Sequence, residues 1–281
     1  AMVLSLHGAG VEAIGQARAY APKDWAYLVA PTNRRPFGFD WEVWGRLDGL
    51  EALDDATATF NTDPARVYVT GHSMGGHGTW QFGALFPGRF ATLGPSAGWG
   101  SFYSYTGRAR PRGAFARAQA SSDTVAYLAN ISQRGVYAIH GTADDNVPLR
   151  EGRTMTANAR MHTMAVELHE EPGAGHWWDR PDTPGADCVD WAPLFAFMQS
   201  RRLDPMETTF RFVTPSPAVS AQHAFVTVRS ATDPLLDVTV GSAQTGDAVT
   251  LTTTNARSLS LDVAALRQRG VRSRSEERRV G

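Results

Sequence analysis

The sequence predicts an α/β domain, a mostly parallel sheet flanked by helices, followed by a small all-β module. Three observations carry this. Between Met2 and Ser200, short apolar or β-branched runs alternate with stretches of helical spacing. From Glu207 onward, Thr- and Val-rich runs are separated by turn residues and show no helical period. One strand-to-helix junction in the first part holds a Gly-x-Ser-x-Gly pentapeptide.

The chain is organised around that junction. Val67-Tyr68-Val69-Thr70 reads as a buried strand, and Thr79 to Phe86 as a helix that ends before Pro87. Between them lies Gly71-His72-Ser73-Met74-Gly75. A strand that turns into a helix within one residue strains that residue's backbone. Gly71 and Gly75 have no Cβ, so neighbouring backbone can approach the turn. Ser73 is thereby presented at the sheet edge as a candidate nucleophile, with the free N–H groups of a helix N-terminus behind it.

Composition sets the frame. A chain of 281 residues suits one α/β domain plus a small extra one, and 42% hydrophobic with 20% charged residues is ordinary for globular proteins. A net charge of −1 gives no electrostatic case for nucleic acid or an anionic membrane as partner. No stretch is long and apolar enough to span a bilayer. The single cysteine, Cys188, excludes an internal disulfide and reads as a buried structural thiol. The chain opens inside an apparent core strand, so leading strands and any signal peptide are expected ahead of it. Residues 266–281 read as a disordered tail, and 274–281 resemble translated sequencing-adapter read-through.

Taken in order, Val3 to Leu6 is a strand that runs into His7-Gly8-Ala9-Gly10. There the N–H of Ala9 is a candidate oxyanion donor, with the N–H of Met74 as the second and His7 ordering the loop. Val11 to Ala21 reads as a helix and Trp25 to Ala30 as a strand. The aromatic loop that follows, with Trp41, falls on the face of the sheet that carries ligands and is a candidate substrate wall. Leu47, Leu50, Leu53, Ala56 and Phe60 give a helix one apolar face. Phe90 to Ser96 is a strand. Residues 99–117 are too irregular for a core element and read as a lid-like insertion whose Trp99, Phe102, Tyr103 and Tyr105 line an apolar pocket over Ser73.

A helix over Ser122 to Ile131 and a strand over Val136 to His140 lead to the loop Gly141 to Pro148. An acid in this loop can orient a histidine: Asp144 is preferred, Asp145 is the alternative, and Asn146 is a candidate cap for the helix Leu149 to Met161. After the strand Val166 to Glu171, His176 sits in a glycine-rich loop, with Trp177 beside it as a further pocket candidate. His72 and His77 lie too near Ser73 along the chain to act as its base, and they lack zinc-ligand spacing, so neither a metal nor a cofactor is expected. His140 is expected to be buried at a strand end. The helix Asp190 to Gln199 closes the domain. The domain is bounded at 1–203 and the β module at 207–265.

The order Ser73, Asp144, His176, with the His7-Gly8-Ala9-Gly10 loop, resembles the α/β-hydrolase superfamily. Within it, GHSMGGHGTWQFGALFPGRFA, HGTADDNVP and GAGHWW resemble the prolyl oligopeptidase (peptidase S9) family and related feruloyl-esterase and polyhydroxybutyrate-depolymerase-like esterases. The resemblance implies an α/β-hydrolase fold and a serine hydrolase without cofactor, acting on a small-molecule, peptide or polymer substrate, and it places the family's acid on Asp144. The β-propeller of true prolyl oligopeptidases has no counterpart in this sequence. Peptidase, carboxylesterase and polymer-anchored depolymerase all remain open, as does a non-catalytic binding protein on the same fold.

Overall fold

The computed structural model describes residues 1–36, 38 and 40–272. The adapter-like segment 274–281 lies outside them. The chain divides into two compact units, Ala1–Pro205 and Met206–Gly281.

The first unit is built on β1 (Met2–Leu6), α1 (Ala13–Arg18), β2 (Tyr27–Val29), α2 (Val43–Phe60), β3 (Val67–His72), α3 (Met74–Leu85), β4 (Thr92–Ser96), α4 (Phe102–Thr106), α5 (Ala114–Ala118), β5 (Gly135–Gly141), α6 (Leu149–Ala159), β6 (Val166–Glu171) and α7 (Ala192–Gln199). Six strands form one sheet in the order β2-β1-β3-β4-β5-β6, and every pairing is parallel. The chain moves outward from β1 to β2, then returns to the other side of β1 as β3. The β1/β3 boundary is therefore a topological switch point, where the carboxyl ends of two strands leave a crevice for a ligand.

Residue alternation buries both faces of the sheet. Met2, Leu4, Leu6, Val67 and Val69 pack on one side with Leu53 and Ala56 of α2, Phe82 of α3 and Met155 of α6. Val3 and Tyr68 point to the other side and pack with Leu194, Phe195 and Met198 of α7. A parallel sheet covered on both faces needs such strands, apolar at nearly every position.

Several elements differ from the sequence reading, each for a physical reason. The buried face of α2 keeps the middle of the expected stripe, with Leu53 and Ala56 buried and Leu50 packed on the core, but Leu47 and Phe60 are exposed and Gly45 and Gly49 face inward. Gly49 lies where a Cβ would stand 2.7 Å from the Phe82 ring, so its small size sets the approach of α2 to α3. The helix after Ser73 begins at once, five residues earlier than its sequence suggests, and all twelve of its residues are buried. The 99–117 insertion holds two short helices, α4 and α5. Two 3-10 helices, Ala120–Ser122 and Thr124–Ile131, stand where the spacing predicts one α-helix. Asn146 caps nothing; its Oδ1 accepts from Tyr105 Oη, and Pro148 stands at the N-cap of α6.

The second unit holds β7 (Phe210–Thr214), β8 (Gln222–His223), β9 (Val226–Ala231), β10 (Val238–Thr245), β11 (Ala248–Thr254), β12 (Ala256–Leu261) and a terminal α8 (Val263–Gln268). Two antiparallel three-stranded sheets, β11-β10-β7 and β12-β9-β8, enclose a core that includes Phe212, Val226, Val238 and Val240. The sequence pattern predicts a disordered tail from residue 266. Instead α8 runs through Gln268, Asp262 accepts from the N–H of Ala265 to cap it, and Leu266 is buried in the core.

Candidate active site

The turn between β3 and α3 has the strain its sequence demands. Ser73 stands at φ 58°, ψ −116°, a region L-residues rarely adopt, at a cost of about 1–3 kcal/mol. Its N–H donates to the Ser96 carbonyl at 2.9 Å, and its own carbonyl accepts from the N–H of His77 at 3.0 Å. Gly75 makes the turn possible: a Cβ there would stand 1.8 Å from the Leu6 carbonyl oxygen. Gly75→Ala is therefore expected to cost more than about 3 kcal/mol, read as a collapse of the urea midpoint. A variant within about 1 kcal/mol of wild type would count against this account of the turn.

The β1 loop lies against the nucleophile candidate. A Cβ on Gly8 would be 3.3 Å from the His72 carbonyl oxygen and 3.5 Å from Ser73 Cβ. His7 holds the loop through its ring nitrogens, 2.9 Å from the Gly8 carbonyl oxygen and 3.1 Å from that of Thr32. Trp41 Nε1 donates to the His7 carbonyl at 3.0 Å. Met74 opens α3, so its amide is among those a helix leaves without an internal partner. Ala9 is exposed at the tip of the β1 loop.

Asp144 and His176 come from the loops after β5 and β6. His176 Nδ1 is 3.0 and 2.9 Å from the two oxygens of Asp144. The Asp144 side chain is wholly buried, whereas Asp145 is exposed. Asp144 Oδ1 also accepts the N–H groups of Asn146 and Val147, each at 2.9 Å. His140, fully buried, brings Nε2 to 3.4 Å from Asp144 Oδ2 and 2.8 Å from the Val147 carbonyl oxygen. Burial alone would raise the Asp144 carboxyl. Hydrogen bonds from His140, His176 and the two amides overcome it and hold the group well below the usual carboxylate range.

A depressed folded-state value contributes stability that is fully present above the unfolded value of about 3.9 and is lost as pH falls below it. Wild type should therefore lose more of its urea midpoint between about pH 6 and pH 3 than Asp144→Asn. Parallel losses would sink the assignment.

His72, before the nucleophile candidate, sits 4.7 Å ring to ring from His176 and 5.2 Å from Trp177. Its Nδ1 is 3.0 Å from Ser96 Oγ, which itself donates to the Cys188 carbonyl. The Ser96 hydroxyl thus accepts from His72, and the proton stands on Nδ1. Burial, reinforced by the His176 ring, pushes His72 down to about 3, so it stays neutral beside His176. Cys188 is buried, and burial pushes its thiol up to about 12, as suits a structural thiol.

The pocket residues expected from sequence divide. Trp41 is wholly buried among Phe82, His7 and the backbone of α3, so it braces the β1 loop instead of facing a substrate. Trp99 is also buried, sandwiched between the His77 ring at 5.0 Å and the Tyr105 ring at 4.4 Å. Both are drawn inward because a large indole offers more apolar surface to a core than a short loop can leave in water. Tyr103 lines a cleft of about 410 Å³ with Glu42, Phe102 and Ser122. Trp177 is half exposed beside His72. Sequence reasoning treats His140 as merely buried; its i, i+4 spacing to Asp144 is the signal that could have found it.

Comparison with known proteins agrees with this architecture. The chain is similar to an acylaminoacyl peptidase (15% identity, TM-score 0.54, covering 71% of this chain and 36% of that one). It is similar to a Mycobacterium tuberculosis puromycin-hydrolyzing peptidase (17%, TM-score 0.51, 62% and 30%). It is also similar to a thermostable esterase (18%, TM-score 0.50, 72% and 55%). At these identities the likeness is one of fold, the α/β-hydrolase fold. An uncharacterized secreted protein of Arthroderma benhamiae is 29% identical over 198 residues, which is 63% of this chain and 21% of that protein. The chain thus spans about a fifth of that relative. Residues 37–199 match the model of the prolyl oligopeptidase family, more than half of the chain, and the chain belongs to that family.

Proposed function

We propose that the protein is a serine hydrolase that cleaves a peptide or ester bond through Ser73, His176 and Asp144. The observation that carries the reading is the pairing of the buried Asp144 side chain with His176 Nδ1 at 2.9 Å, on strand-end loops beside the strained Ser73 turn. In this reading His176 Nε2 takes the hydroxyl proton as Ser73 Oγ attacks the carbonyl carbon. The oxyanion is held by the N–H groups of Ala9 and Met74. His176 returns the proton to the leaving amine or alcohol, and the acyl-enzyme remains. Water then attacks the acyl carbon, giving its proton to His176, and Ser73 leaves with that proton. None of these steps calls on a cofactor. Family membership favours a peptidase; an esterase is the alternative.

The test is labelling by a fluorophosphonate, followed by parallel turnover of short-chain p-nitrophenyl esters and peptidyl-proline anilides. Ser73 is expected to be the labelled residue. Anilide cleavage that disappears in Ser73→Ala assigns a peptidase; ester cleavage alone assigns a carboxylesterase. A folded protein that takes no label would leave only a binding role.

A further inference from the structure

A second cluster of ligating side chains lies beside the nucleophile helix, and the proposed chemistry does not use it. Asp40 and Glu42 come from the loop ahead of α2, and His77 from the first turns of α3. One oxygen or nitrogen from each lies within 4.8 Å of the others. His77 is wholly buried, and its Nδ1 donates to the Trp99 carbonyl at 2.9 Å. A ring N–H anchored on a backbone carbonyl is how a metal-ligating histidine is usually oriented from behind. It leaves Nε2 facing two carboxylates, an arrangement that is repulsive unless a proton or a metal cation lies between them.

The spacing favours an ion over a proton. Nε2 stands 3.4 Å from Glu42 Oε1 and 3.9 Å from Asp40 Oδ2. Both are longer than the roughly 2.7–3.2 Å of a good N–H···O bond. Ligands about 2.1 Å from a tetrahedral zinc stand about 3.4 Å apart, which the Glu42 distance matches and which the Asp40 distance, at 3.9 Å, would reach by a small inward shift. Both oxygens of Asp40 are buried, with no hydrogen-bond partner among the described residues. Burying a carboxylate in that state is costly.

The surroundings suit a ligand shell. Ser122 Oγ donates to Glu42 Oε2 at 2.7 Å. Gln81, one turn beyond His77 and wholly buried, reaches Glu42 Oε1 through Nε2 at 3.4 Å, and its Oε1 has no partner among the described residues. Reversing that amide would turn an oxygen toward the cluster. Buried Arg46 supplies one positive charge against Glu42, so one negative charge remains. The cleft lined by Glu42 and Ser122 gives an entry path.

We propose that Asp40, Glu42 and His77 hold a divalent transition-metal ion of the zinc class, with water or Gln81 completing its shell. The ion ties the loop ahead of α2 to the nucleophile helix. Several residues of that loop sit at positive φ, including Asp40 at 53° and Trp41 at 56°. Such a loop gains from a cross-link, and through Trp41 it supports the β1 loop.

The test uses the full chain, stripped with a chelator and titrated with Zn²⁺ by calorimetry, with metal content and Tm measured alongside. One Zn²⁺ per chain and a raised Tm are expected. Truncating His77 endangers the fold, so the near-isosteric Asp40→Asn and Glu42→Gln carry the test. Each should weaken Zn²⁺ binding by at least about 10-fold, and the double variant should lose the metal-dependent rise in Tm. The proposal is overturned if folded, stripped wild type takes up no Zn²⁺, or if the double variant binds it as wild type does. It is equally overturned if Asp40→Asn raises the metal-free Tm while wild type binds nothing, which would make the cluster a proton-sharing ion pair. None of these readouts depends on Ser73 turnover.

Discussion

Ser73→Ala is expected to lower kcat by about 10⁶-fold while leaving the fold untouched. The substitution removes the attacking oxygen and little else. Ser73 makes no side-chain cap bond to α3, so its hydroxyl does not support the helix. Its backbone sits at φ 58°, where Ala is as strained as Ser, so the stored strain does not change. Stability should therefore stay within about 0.5 kcal/mol of wild type. Steady-state turnover and thermal unfolding on the same preparations decide this. Substantial residual turnover at an unchanged Tm would remove Ser73 as nucleophile. A large fall in Tm would mean that the hydroxyl has a structural partner.

Asp144→Asn is expected to cost about 10⁴-fold in kcat, whereas Asp145→Asn stays close to wild type. The difference arises at one atom. The substituted side chain would keep an oxygen for the N–H groups of Asn146 and Val147, which now donate to Asp144 Oδ1 at 2.9 Å each. Its new amide nitrogen would then face His176 Nδ1 and donate to it. That draws the imidazole into the tautomer with its proton on Nε2, which cannot accept the serine proton. Asp145 is exposed, on the outside of the same loop. A kcat lost in Asp145→Asn and kept in Asp144→Asn would reverse the assignment. His140 sharpens the comparison, because its Nε2 lies 3.4 Å from Asp144 Oδ2 and meets the same altered amide.

Much of this is legible in the chain, because the local signals and the global fold agree. Val67 to His72 followed by a glycine-rich turn admits few conformations, and a strained Ser73 is the one its residues point to. The succession of strand runs and helical spacing points to the parallel sheet, and the order Ser73, Asp144, His176 indicates which loops to examine. What fails are inferences from a residue's own character. Trp41 and Trp99 look like pocket walls as isolated aromatics in irregular loops, yet both are core. Leu47 and Phe60 look like core, yet both are exposed, because Gly45 and Gly49 let α2 approach along a face that shares only Leu50, Leu53 and Ala56 with the expected stripe.

By itself the sequence determined the fold class, the strained turn, and the candidate nucleophile and base, because each depends on residues adjacent in the chain or on periodicity. The sequence preferred Asp144 to Asp145, and the tertiary structure adds the physical ground for it, a buried side chain 2.9 Å from His176 Nδ1 next to an exposed neighbour of identical type. Only the tertiary structure joined Asp40 and Glu42 to His77, which stand on different elements far apart in sequence. A chemical site is a set of distances. Chain order limits those distances only over a few residues; beyond that, packing sets them.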